Sequence, residues 1–295
     1  MFNIEELFLH SYSQNNNGIY NCLNLSETNN KIKNIEMETY SIRAEDFKEK
    51  EILFLSDEES QIINPLRKFN KKDSIFLELG GGNGRFALKL MEEGYFVIES
   101  DIAEGSVAKV KQVIEKNNVK NGIYAIIDAE KLPFKNETID AIFMVASLHH
   151  LPNPFLAISE MCRVLKHGGQ LLILREPASW QYYFFYPIYQ IIRKVLRKKN
   201  NKPISLADDI TFGFSKNKIK KLLAPSFKNI KIVPVHFLRK IYTNYIVLKS
   251  KFTKKKYIGN KKIIKILKTI DDKIISNIPV INNLSWDWDI YCEKH

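Results

Sequence analysis

The sequence predicts an α/β fold built on a parallel sheet. Two observations carry that expectation. Short apolar runs alternate with stretches of helical spacing from Ser74 to Leu174, the texture of strands joined by crossover helices. A glycine cluster, Gly80-Gly81-Gly82-Asn83-Gly84, falls between the first run and the first helical stretch. In such sheets ligands sit beyond the carboxyl ends of the strands, where the strand order reverses.

Residues 1–72 begin polar and irregular, with Asn15-Asn16-Asn17-Gly18 and Asn29-Asn30 as loop signals, and helix is expected around Ala44–Phe54 and Glu58–Phe69. Ser74–Leu79 is apolar and ends in glycine, so it reads as a buried strand. Phe86–Glu93 is a helix closed by Gly94, and Tyr95–Ile98 is a second strand. Val107, Val110 and Ile114 repeat at helical spacing until Asn121-Gly122. Gly122–Ile127 and Ile139–Ala146 are the third and fourth strands. Phe155–Leu165 is a helix, and Gln170–Leu174 a fifth strand after Gly168-Gly169. Trp180, Tyr183, Phe184, Ile188, Ile191, Ile192, Val195 and Leu196 form an apolar helical stripe ending in Arg193, Lys194 and Arg197–Lys199. Ser215 is the expected N-cap of a helix running to Leu223. Ile230–Phe237 reads as a strand, Ile263–Ile278 as a helical stripe opposite five lysines, and Ser285–Cys292 as the final strand.

The 295 residues are 45% hydrophobic and 26% charged, an ordinary globular balance that excludes collagen-like and low-complexity chains. Cys22, Cys162 and Cys292 are odd in number and far apart. A disulfide framework and a zinc cluster are therefore not expected, and reduced intracellular cysteines are. No metal site is expected. The start, Met1-Phe2-Asn3-Ile4-Glu5-Glu6, is acidic rather than leader-like. The most apolar stretch, Tyr182–Ile192, spans about 11 residues where a membrane-crossing helix needs about 20. The expectation is a cytoplasmic protein with peripheral membrane contact. Charge is unevenly placed: residues 1–188 carry a net −6, residues 189–273 a net +20, and the rest −2. The last third should meet something anionic, unless it is a solvated basic face.

Glu78-Leu79-Gly80-Gly81-Gly82-Asn83-Gly84 places an acid and spaced glycines between strand and helix, where glycine lets backbone approach a ligand. Asp101 closes the second strand about 20 residues later, the spacing at which an acid can hold both hydroxyls of a ribose. Glu99 is a nearby competitor. Asp128-Ala129 follows the third strand, Ser147-Leu148-His149-His150-Leu151-Pro152 the fourth, and Arg163–Gly169 precedes the fifth. Together these motifs resemble the S-adenosylmethionine-dependent methyltransferases of Rossmann-like fold, in particular the branch of ubiquinone and menaquinone biosynthesis. The resemblance implies a seven-stranded, mostly parallel sheet of order 3-2-1-4-5-7-6, helices on both faces and helical cap insertions. It implies contact with S-adenosyl-L-methionine at Glu78, Gly80, Gly82, Gly84, Asp101, Ile102, Asp128, Ala129 and Ala146, with Asp101 on the ribose and Asp128 on the adenine. His149, His150 and Glu176 are the candidates for proton transfer. Residues 73–178 would be the donor-binding core, 1–72 an N-terminal cap and 179–226 an aromatic, basic substrate cap. Residues 227–295 would hold the last two strands around a basic helical insertion at about 238–284.

The leading expectation is methyl transfer to a small, apolar or lipid-like acceptor. An RNA methyltransferase is the second reading, prompted by the +20 segment and weakened because no Asn/Asp-Pro-Pro-Tyr-type tetrapeptide follows the fourth strand. A non-catalytic fold relative is the third, and an intact loop with two acids argues against it.

Overall fold

A computed structural model of the chain describes residues 4–9, 12–15, 17–23, 30–183, 212–235, 237–253, 257, 259–278 and 283–295. The chain enters through a small hairpin, β1 (Ser13–Gln14) and β2 (Tyr20–Asn21). Asn15 closes the turn, its side-chain oxygen accepting from the backbone of Asn17 and Ile19. Helix α1 (Lys31–Glu45) follows, capped by the Asn30 side chain. Next come α2 (Glu49–Ile52), α3 (Asp57–Ile62) and a 3-10 turn at Asn64–Lys68. The expected helices at Ala44–Phe54 and Glu58–Phe69 are thus these shorter pieces, and α1 begins directly after the Asn29-Asn30 loop signal, in a stretch for which no element was expected before Ala44.

The alternating region then runs β3 (Ile75–Leu79), α4 (Arg85–Glu92), β4 (Phe96–Asp101), α5 (Glu104–Lys116), β5 (Gly122–Ile126), β6 (Ile139–Val145), α6 (Pro154–Val164) and β7 (Leu165–Pro177). It ends in α7 (Lys216–Leu223), β8 (Phe227–Val235), α8 (Leu238–Thr253), α9 (Lys261–Asn277) and β9 (Asp287–Lys294). Ser215 caps α7 by accepting from Lys218 N. The aromatic stripe after Trp180 continues into 184–211, outside the described residues.

Among the described residues the sheet has nine strands in the order β1-β2-β5-β4-β3-β6-β7-β9-β8. From β5 onward this is the expected order, and β9 is antiparallel to both neighbours. The count differs from seven because β2 pairs alongside β5 and carries β1 with it. Two-residue strands of polar sequence leave no periodic signal to read. β3 shows why the central strands were legible. Ile75, Leu77 and Leu79 enter one hydrophobic core, shared with α6 and α7. Phe76 enters the other, shared with α4 and α5. A strand buried on both faces reads as a near-continuous apolar run, and in β3 only Glu78 breaks it.

Candidate active site

Strand order reverses at β3, which pairs with β4 on one side and β6 on the other: the chain runs outward from β3 through β4 to β5, then crosses back to β6. A cleft of about 260 Å³ lies at that end of the sheet. Its walls come from the loop after β3, the ends of β4, β5 and β6, and one face of α1.

The glycine loop is shaped by its own hydrogen bonds. Gly81 N donates to Ser100 O, and Gly84 N to Gly81 O, each at 2.9 Å. Ser147 Oγ donates to Gly80 O at 2.9 Å, tying the loop to the segment after β6. Gly82 has φ +58°, and a Cβ there would meet nothing within 4 Å, so it faces open cleft. Gly84 differs. It is the residue before α4, with φ +63°, and a Cβ there would strike the Val110 methyls of α5. Gly84 serves close helix packing, and it does not line the cleft.

Asp101 lines the cleft with both oxygens engaged: Oδ2 accepts from Gly82 N at 3.0 Å and Oδ1 from Ala103 N at 2.9 Å. It thereby fixes the loop at its point of closest approach. Burial raises its pKa, opposed by those two backbone donors. Glu99 lies behind it, fully buried, with no hydrogen-bond partner for either oxygen. Burial, then the neighbouring Glu78, holds the Glu99 pKa well above the ordinary range. Glu78 is pushed up to about 8 by burial, although Ala87 N donates to it at 3.0 Å. Asp101 is therefore the acid that reaches the cleft, and Glu99 the one that does not.

Asp128 and Ala129 line the next wall, with Ile102, Ile127 and Ala146 beside them. Ala146 has φ +52°, a left-handed conformation unusual outside glycine. Lys33 of α1 sits 2.6 Å from Asp128 Oδ2 and 2.7 Å from Glu130 Oε2. Burial opposes the Lys33 charge, but its bonds to the two carboxylates outweigh that and raise its pKa.

The three candidates for proton transfer separate. His150 lines the cleft. His149 is turned inward, its Nδ1 2.9 Å from Glu176 Oε2. Glu176 is fully buried and accepts from the backbone of Ser147, Leu148 and His149 at 2.8–3.1 Å. It fastens the loop that carries His150, without lining the cleft. The fold thus brings Glu78, Gly80, Gly82, Asp101, Ile102, Asp128, Ala129, Ala146 and His150 together. Sequence reasoning missed Lys33, Glu36 and Tyr40, which α1 adds to the same cleft. Their i, i+3, i+7 spacing on one helix face was the available signal.

The residues fit S-adenosylmethionine. Gly82 offers open backbone to a ligand, and the acids at the ends of β4 and β5 stand where a nucleoside's hydroxyls and amine need acceptors. A switch-point cleft with a glycine loop and strand-end acids defines the nucleoside-binding class of α/β proteins. Comparison narrows this: residues 77–173 match the family described as methyltransferase domain. Over 104 residues the chain is 36% identical to the ubiquinone/menaquinone biosynthesis C-methyltransferase of Teredinibacter turnerae, covering 33% of this chain and 41% of that protein. Over 101 residues it is 33% identical to an uncharacterized chloroplastic methyltransferase of Arabidopsis thaliana, covering 32% of this chain and 29% of the other. The chain thus spans well under two thirds of these relatives. The fold resembles that of the Haemonchus contortus phosphoethanolamine N-methyltransferase 2, solved with phosphomonomethylethanolamine and S-adenosylhomocysteine, at a TM-score of 0.53 and 17% identity. That match covers 92% of this chain and 58% of the other. Residues 77–173 therefore carry a methyltransferase domain.

Proposed function

We propose that the chain transfers the methyl group of S-adenosylmethionine to a small, apolar or lipid-like acceptor. The observation that carries this is the cleft, where the open Gly82 backbone, Asp101 and Asp128 meet at the strand-order reversal. The donor supplies an activated sulfonium methyl. The protein's part is to hold the ribose at Asp101 and the adenine at Asp128, and to line the remaining wall with Val145, Leu151 and Pro152. Positioning and exclusion of water then carry much of the rate. The quinone-related name of the Teredinibacter turnerae relative supports an apolar acceptor. Calorimetry with S-adenosylmethionine tests the reading. Asp101→Asn should weaken the donor roughly 10- to 150-fold, the range for losing a charge-assisted hydrogen bond. Unchanged affinity would remove Asp101 from the site.

The same proposal extends to an anionic membrane surface as the source of the acceptor. Among the described residues, no helix is long and apolar enough to cross a membrane. The α8–α9 pair instead exposes Ile241, Tyr245, Ile263 and Ile266 beside Lys261, Lys262 and Lys265. Each such lysine near an anionic surface contributes about 1 kcal/mol. Flotation with phosphatidylserine vesicles at low salt should carry the protein up, and Ile263→Ser with Ile266→Ser should release it. Binding to RNA without binding to vesicles would favour the RNA methyltransferase reading instead.

A further inference from the structure

We infer that Glu36, His150 and Tyr40 form a proton relay on the cleft wall, so that the acceptor is one whose nucleophilic atom carries a proton it must lose. The inference rests on the methyltransferase reading above and adds to it the chemical state of the substrate. All three side chains line the cleft, two from α1 and one from the segment after β6. The Tyr40 hydroxyl lies 3.2 Å from His150 Nε2. On the opposite side of the imidazole, Glu36 Oε2 lies 3.4 Å from Nδ1. Glu36 is buried, at 5% exposure, so its carboxylate is held against the ring rather than shared with bulk water.

The order of the three groups decides what they can do. A carboxylate only accepts, so Glu36 favours the tautomer with its proton on Nδ1. The lone pair is then on Nε2, facing Tyr40, and the hydroxyl donates to it. Two further contacts keep this geometry. The Tyr40 ring meets the His150 ring edge-on with centroids 5.6 Å apart. The Arg43 guanidinium lies over the Tyr40 ring, 5.0 Å from its centroid. The other acids lining the cleft are already engaged: Asp128 with Lys33, Asp101 with the backbone of Gly82 and Ala103, and Glu78 with Ala87 N.

In the transfer, the acceptor atom's electron pair forms a bond to the methyl carbon while that carbon's bond to sulfur breaks, its pair remaining on sulfur. The proton released by the acceptor passes to the Tyr40 oxygen as the Tyr40 proton moves to His150 Nε2. The resulting imidazolium rests against Glu36 until water takes the proton. Tyr40 is the catalytic residue of the set, His150 its base, and Glu36 a positioning residue. Hydroxyl, N–H-bearing amine and acidic C–H acceptors release a proton along such a path. A tertiary amine or a thioether does not.

Tyr40→Phe removes only the hydroxyl. It should lower the incorporation of labelled methyl into a small-molecule extract of the source organism about 100-fold or more, with donor affinity and melting temperature unchanged. A residue that merely pinned α1 would shift those last two and spare the transfer. Long-range proton–nitrogen NMR of the full chain, with His150 assigned by its loss in His150→Gln, should show the proton on Nδ1. Glu36→Gln should scramble it. Transfer at the wild-type rate in Tyr40→Phe, or a His150 proton resident on Nε2 in the wild-type protein, would overturn the relay. Failure of the wild-type chain to bind the donor in calorimetry would instead overturn the methyltransferase reading, a distinct result.

Discussion

Glu176→Ala should lower the melting temperature by roughly 10 °C and abolish donor binding at the temperatures where the wild-type chain still binds. The carboxylate is fully buried, and its two oxygens serve four donors: Ser147 N and Leu148 N on one, His149 N and His149 Nδ1 on the other. Alanine leaves three backbone N–H groups without an acceptor, each costing about 1–3 kcal/mol when buried. Those costs do not simply add, because the loop relaxes, so about 3–5 kcal/mol is the expected total. For a chain of this size each kcal/mol moves the midpoint by about 2–4 °C. The loop concerned holds Gly80 through Ser147 Oγ, so its release also frees the glycine loop. Glu176→Gln keeps one oxygen and should fall between the two. Thermal unfolding followed by circular dichroism decides it. A midpoint within a degree or two of wild type for alanine would mean that the N–H groups find other acceptors.

The ligand-free protein should lose stability as the pH rises from about 5 to about 8. Glu78 and Glu99 hold their protons in the folded state well above the ordinary value of 4.5, because burial penalises the charge. The unfolded chain ionises both near 4.5. Between that pH and about 8, where Glu78 titrates in the fold, the native state binds more protons than the unfolded one. By linkage, stability then falls with rising pH. One pKa unit corresponds to about 1.4 kcal/mol, so Glu78 alone is worth a few kcal/mol across the window. Glu49, Glu93 and Glu293 are shifted the other way, by hydrogen bonds to Lys116, Arg67 and Lys228, and act only at lower pH. Glu99→Gln should flatten the slope and raise the melting temperature at pH 8 while changing little at pH 5, since neither Glu99 oxygen has a partner to lose. A melting temperature that climbs from pH 5 to pH 8 would contradict the assignment.

Much of this site could be read from the sequence, and the boundary of what could not is physical. β3 to β7 announce themselves because strands buried on both faces are rich in apolar residues, with acids such as Glu78, Glu99 and Asp101 breaking the run near the cleft end. The cleft-facing residues at their ends follow from motif order. α1 escaped because its inward positions include Lys33, Glu36 and Thr39, so a search for an apolar stripe passes over it. Lys33 faces inward to meet the carboxylates of Asp128 and Glu130, and Glu36 to meet the His150 imidazole, while α1 packs closely on α5. Gly105 shows how close that approach is: a Cβ there would sit 2.8 Å from the Ser41 backbone. Glu176 was placed by sequence at the right end of the right strand, but its partners lie 27–29 residues away, beyond any local pattern.

The nine-stranded sheet also has two margins, and neither invites another strand. At one, the short β1–β2 hairpin puts only Ser13 and Gln14 outermost and covers β5 at Ala125 and Ile126. At the other, β8 carries Lys228 and Lys231 and interrupts its row of donors at Pro234. Lysines and proline on an outer strand, and very short outer strands, are the devices by which sheets avoid growing into one another. Assembly of this chain by sheet extension, whether into ordered dimers or into fibrils, is thereby disfavoured at both ends.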